Sequence, residues 1–159
     1  MDAATWVNCR ADFAFDGALV DLLVPGTDPA DWEFFWAALR ASPFKLRVFR
    51  ESESIPLPES AAWVFAERQA ASVMASVLVG VVTANCHFFG DNVELDIDPR
   101  EVVNETAFES VLELMRFVAA AVRRPVYAVA EGGTLAFAFL RVSADGQAAF
   151  LPSGSVTQF

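Results

Sequence analysis

Glu94, Asp96 and Asp98 occupy every second position of the string Glu94-Leu95-Asp96-Ile97-Asp98-Pro99. Side chains of a β-strand alternate between its faces, so on a strand these three carboxylates share one face and Val93, Leu95 and Ile97 share the other. Neighbouring carboxylates would then stand about 7 Å apart and repel one another. Two kinds of chemistry suit such a row. Carboxylate oxygens can collect a hard divalent cation, or an uncompensated acidic face can meet a basic protein surface. The string lacks the glycine and ligand spacing of a calcium loop, so the sequence favours the basic partner over a metal. The plain structural alternative is a solvated strand face running into a turn at Asp98-Pro99.

Cys86-His87 is the one place where a thiol adjoins the single histidine. A nucleophilic cysteine needs a base within hydrogen-bond reach, and consecutive strand residues point to opposite faces, so these two cannot easily serve each other. Cys9 could approach His87 only if their segments pair as strands. Two cysteines and one histidine leave a zinc site one ligand short. No nucleophile elbow, Gly-rich phosphate loop, HExxH or dinucleotide fingerprint is present. Glu109/Glu113 and Asp28/Asp31 have the placement of helix-surface and cap residues. Trp32, Phe35 and Trp36 have the spacing of a helix core face. The expectation is no enzyme, no cofactor and no metal, with Glu94, Asp96 and Asp98 as partner-binding residues.

These residues must be carried by elements that can be read in outline. Thr5 to Phe15 alternates loosely and reads as a strand. Ala18 to Val24 reads as a second, stopped by Pro25-Gly26. Asp28 is a helix N-cap with Pro29 at the first helical position, and Pro43 ends that helix. Phe44 to Arg50 reads as a half-buried strand, 51–58 as a polar loop and 59–70 as a short helix. Val73 to Val82 reads as one buried strand, and Gly90-Asp91-Asn92 turns Asn85–Phe89 into Val93–Ile97. The longest helix spans 104–124, with Thr106 and Glu109 as a capping box. Its apolar arc is wide enough to serve either a central position or a second copy of the chain. Val126–Ala130, Leu135–Val142 and Gln147–Leu151 read as strands joined by hairpin turns at Gly132-Gly133 and Asp145-Gly146. The fold class is α+β, with helices packed against a largely antiparallel sheet in one domain. Two strand–helix–strand stretches, 22–50 and 95–130, suggest two β-α-β type halves.

The 159 residues carry a net charge of −10, and the acids are spread evenly along the chain. A field of that sign repels phosphate backbones and anionic lipid, which argues against nucleic-acid and membrane partners and favours a basic protein. The N-terminus has no basic stretch leading into an apolar run, so a cytoplasmic protein is expected. Hydrophobic residues make up 55% of the chain, above the usual 45–50% or so. Either the core is unusually rich or some apolar surface meets a partner, a second copy in a homodimer being the simplest case.

The strings Leu39 to Phe49, Pro56 to Ser60, Asn85 to Phe89 and Glu94 to Pro99 together resemble a group of small bacterial α+β proteins with the same order of elements, over about residues 30–130. That group has no established activity, so the resemblance transfers no functional residue. Small acidic proteins of this kind are similar in style to immunity proteins that neutralise toxins. The leading expectation is therefore a non-enzymatic protein-binding module of immunity type. The alternatives are a small-molecule or divalent-metal-binding domain, or an enzyme, that uses the same carboxylates, and a structural homodimer subunit.

Overall fold

The computed structural model describes residues 2–152. In chain order the elements are β1 (Asp2–Ala3), α1 (Trp6–Cys9), a 3-10 turn (Arg10–Phe13), β2 (Val20–Val24), α2 (Pro29–Ala41), β3 (Lys45–Arg50), β4 (Glu53–Ile55), α3 (Ala61–Glu67), β5 (Val73–Val79), β6 (Val82–Cys86), β7 (Val93–Ile97), α4 (Glu105–Val122), β8 (Val126–Ala130), β9 (Leu140–Val142) and β10 (Ala148–Phe150). The strands form one sheet in the order β1-β10-β9-β8-β2-β7-β6-β5-β3-β4. Every neighbouring pair is antiparallel. The α+β class read from the sequence is the observed one.

Both strand–helix–strand stretches are crossovers within this sheet. Successive antiparallel steps make β2 parallel to β3 and β7 parallel to β8, so α2 and α4 each return the chain to the same end of the sheet. The first crossover spans three intervening strands and the second spans only β2. The two halves thus share an order of elements but not a width.

Period-2 patterning decides which face the helices cover. Val20, Leu22 and Val24 of β2 stand opposite Ile97, Leu95 and Val93 of β7 in register, and all six are buried. Ala84 and Cys86, Ala75 and Val77, Ala128 and Leu140 continue this face across the sheet. Against it pack Trp32, Phe35, Trp36 and Leu39 of α2 and Phe108, Val111, Leu112, Met115 and Val118 of α4, all 2% exposed or less. Each fully buried large side chain of this kind contributes about 1.5–3 kcal/mol. The wide apolar arc of α4 is used within the chain: even its half-buried Phe117 lies 5.0 Å, ring to ring, from Phe44.

Several local expectations are corrected. Residues 6–13 are helical, with the extended Thr5 capping α1 through Asn8 N–H; Trp6 and Phe13 meet Phe108 at 6.1 Å each, a helical spacing hidden by the loose alternation. The run 73–82 is a hairpin. Gly80 sits at φ +56°, and a Cβ there would lie 2.3 Å from Ser110 Oγ, so glycine is required by both conformation and space. The loop 51–58 contains β4, turned back by Glu51 and Ser52 at φ 48° and 66°. Those are unusual residues for a two-residue turn. Ser72 holds them by accepting from Glu51 N–H and donating its own N–H to the Glu51 carboxylate. The cap of α4 is Asn104, whose Oδ1 accepts from Ala107 N–H, and Thr106 already lies inside the helix. Residues 135–142 hold a 3-10 turn before a short β9, so Gly132-Gly133 opens a longer loop instead of a tight hairpin. Among the described residues no helix is long and apolar enough to cross a membrane.

Candidate functional site

The face of the sheet away from the helices has no layer over its centre. It displays the strand residues that alternate with the core-facing ones. Asp21 stands opposite Asp96, Asp96 opposite Asn85, Asn85 opposite Ser76, and Ser76 opposite Arg47. One polar row therefore crosses five strands. Leu23 stands opposite Glu94 in the next row. Toward β8 the face is closed by a small second cluster in which Tyr127, Val129, Ala138 and Leu151 are buried together.

Glu94 and Asp96 emerge on this face as the alternation requires. Asp98 follows β7 and has a different role. Its carboxylate caps the next turn by accepting from Arg100 N–H at 2.9 Å, and it pairs with the Arg100 guanidinium at 2.7 Å. The Arg100 hydrogen bonds hold Asp98 below the ordinary carboxylate range. The acidic cluster is instead completed by Asp21, a residue the sequence reading passed over. The signal was present: Asp21 is the one charged residue in the apolar run Leu19 to Val24. What placed it beside Glu94 and Asp96 is the pairing of β2 with β7, a long-range contact that no local pattern announces.

Asp21 is 9% exposed and accepts from Gly132 N–H at 3.1 Å. Burial raises its pKa, and Asp96 and Glu131 add to this, against the Gly132 and Glu94 hydrogen bonds. Glu94 is also raised, first by burial, then by the charges of Asp21 and Asp96, then by its hydrogen bond to Asp21. Asp96 is held from the other side by His87 Nε2 at 3.1 Å and by Asn85 Nδ2 at 3.4 Å.

His87 is presented by a strained residue. Phe88 has φ 55°, rare for a bulky side chain, and its ring is buried against Trp32, Trp36 and Phe65. On either side of that anchor His87 and Phe89 stack at 5.4 Å with planes 14° apart. Arg68 lies 5.2 Å from the Phe89 ring centre and donates to the Phe88 carbonyl at 2.7 Å. Phe89 remains 64% exposed. A hollow of about 260 Å³ opens beside His87, lined also by Phe49, Ser52, Ser72 and Met74.

The thiols stand apart from this chemistry. Cys86 faces the core, opposite in direction to His87, and Cys9 lies in α1 on the helix side of the sheet, so it forms no strand pair with the histidine segment. Burial pushes both up to about 12, which leaves them protonated and inert at neutral pH. Trp32, Phe35 and Trp36 are core residues. Among the described residues no three or more His, Cys, Asp or Glu side chains are grouped so as to hold a metal ion, and no Lys or Arg pairs with Asp21, Glu94 or Asp96. No family model, curated protein or solved structure matches the chain.

Proposed function

We propose that the protein is a non-enzymatic protein-binding module that docks a basic partner on the helix-free sheet face, with Asp21, Glu94 and Asp96 at the centre of contact. The carrying observation is that three carboxylates crowd one uncovered face with no Lys or Arg to neutralise them, in a chain of net charge −10. Such a cluster is held at the fold's expense. An arriving guanidinium or ammonium would relieve the repulsion among Asp21, Glu94 and Asp96. Half-exposed apolar groups around the cluster, Leu23, Met74 and Phe49, together with the open ring of Phe89, supply the area that a protein contact requires. Neutralisation of a basic toxin, as by an immunity protein, is the most specific form of this reading.

The test is a capture experiment with the full chain in lysate of its native host, at low and high salt. The expected result is one stoichiometric basic partner, lost at high salt and lost when Asp21, Glu94 and Asp96 are replaced together by Asn, Gln and Asn. Retention of the partner by that variant, or no partner at either salt, would overturn the reading. The hollow beside His87 favours a second reading, a small ligand held by the His87–Asp96 pair. A ligand or divalent cation bound there should raise the melting temperature by mass action; flat melting curves across Ca²⁺, Mg²⁺, Mn²⁺ and a metabolite panel would remove it.

A further inference from the structure

A larger concavity, about 640 Å³, lies at the outer edge of the sheet between β4 and α3. It is four strands from β7, roughly 19 Å at ordinary strand spacing, and shares no residue with the acidic cluster. One wall is the rail Pro56-Leu57-Pro58 and the other is Trp63, with Ile55 between them. Leu57 and Trp63 are 38% and 42% exposed, so two large apolar side chains face a space that nothing in the described chain fills.

The walls are fixed from behind by α2. Trp36 Nε1–H donates to the Pro58 carbonyl at 2.8 Å in a buried bond. The Glu33 carboxylate accepts from the backbone N–H groups of Ala61 and Ala62, and Ser60 caps α3 by accepting from Trp63 N–H. Pro56 and Pro58 each lock a backbone torsion. The groove is thus formed before anything enters it, which lowers the ordering cost of binding. Its size is that of ligand-binding clefts in general.

Charge and edge chemistry narrow the occupant. Arg50 is taken up by Glu67 at 2.9 Å, and Arg40 donates to the backbone carbonyl of Glu59. The carboxylates of Glu53 and Glu59 have no ion pair among the described residues, and the molecule as a whole is strongly acidic. A cation is favoured. Strand addition to β4 is not, because the strand has three residues and runs into Pro56, which lacks an N–H. Recognition must therefore run through side chains.

We propose that this groove is a second, independent binding site, for an extended segment of another protein that seats one apolar side chain between Leu57 and Trp63 and sets a Lys or Arg against Glu59. It does not rest on the sheet-face reading. The test is fluorescence anisotropy of a short labelled peptide of alternating Lys and Leu, titrated with the full chain at physiological salt. A Lys/Ser and a Glu/Leu peptide serve as controls. The expected result is binding of the Lys/Leu peptide, weakened about tenfold or more by Trp63→Ala or Leu57→Ser, several-fold by Glu59→Gln, and little by Trp63→Phe. The Glu94→Gln/Asp96→Asn variant should bind it as the parent does. Equal binding of the Lys/Ser peptide, preference for Glu/Leu, or parental affinity in both Trp63→Ala and Leu57→Ser would overturn the proposal. So would loss of binding confined to the Glu94/Asp96 variant, which would return the peptide to the sheet face. Melting curves of the two groove variants separate lost binding from lost fold.

Discussion

Burial first, and then neighbouring carboxylates that include Asp96, raise both Asp21 and Glu94 above the ordinary carboxylate range. The consequence for stability has a definite sign. Both groups have folded-state values above their ordinary ones, so the folded chain binds protons more readily than the unfolded chain. The stability they contribute is fully present below the ordinary carboxylate range and is lost as the pH rises through the raised values. A Gln at position 94 mimics the protonated acid: it keeps a donor for Asp21 and never ionises. Glu94→Gln should therefore melt higher than the parent at pH 7 to 8. The gain should shrink toward nothing as the pH falls through the ordinary Glu value of 4.5. Thermal melts at several pH values read this directly; equal melting at neutral pH would mean that the carboxyls are not in conflict. If the variant also loses the basic partner, the same residue is shown to trade stability for binding, as functional groups commonly do.

At the scale of elements, what was legible depended on whether a signal was local. The N-terminus of α2 was fully written in the chain: Asp28 accepts from Asp31 N–H, Asp31 accepts from Asp28 N–H, and Pro29 fills the first position where no donor is needed. At the N-terminus of α4 the sequence pointed to a capping box at Thr106 and Glu109, whereas the cap is Asn104, two residues earlier. A direct consequence is that Asn104→Ala should cost about 1 kcal/mol, lowering the melting temperature by roughly 2–4 °C for a chain of this size. Asn104→Asp should keep most of the stability, and Thr106→Ala should have little effect. A loss in Thr106→Ala equal to that in Asn104→Ala would restore the capping box at 106. Turns were legible where glycine made them, as at Gly90 and Gly146, and invisible at Glu51-Ser52, where a contact with Ser72 holds two non-glycine residues in left-handed conformation. The acidic site was half legible for the same reason. Alternation along β7 placed Glu94 and Asp96 on one face, but the register of β2 against β7 brought in Asp21, and a local turn withdrew Asp98.

For the whole molecule, the question is whether its negative field is diffuse or focused. The chain holds 21 acids against 11 Lys and Arg, and the three Arg–carboxylate ion pairs among the described residues have guanidinium groups 40% exposed or more, where each contributes little. Self-repulsion should then outweigh attraction, and added salt should stabilise the fold. Between about 0.01 M and 0.3 M NaCl the screening length falls from about 30 Å to less than 8 Å, and the melting temperature should rise with it. A fall would mean that the ion pairs dominate. A diffuse field predicts that any two acids removed from the surface flatten this rise equally. A focused one predicts that they do not. Asp21→Asn with Glu94→Gln, and Glu53→Gln with Glu109→Gln, each remove two formal carboxylates, but only the first pair belongs to the partly buried cluster, where carboxylates stand too close together for salt to screen their repulsion fully. The first variant should gain more in melting temperature than the second, and should keep most of that advantage at high salt. Such a result would locate the strongest part of the potential on the uncovered sheet face, where it would steer a basic partner to its docking site; identical salt curves for the two variants would leave the face no better than the rest of the surface at attracting one.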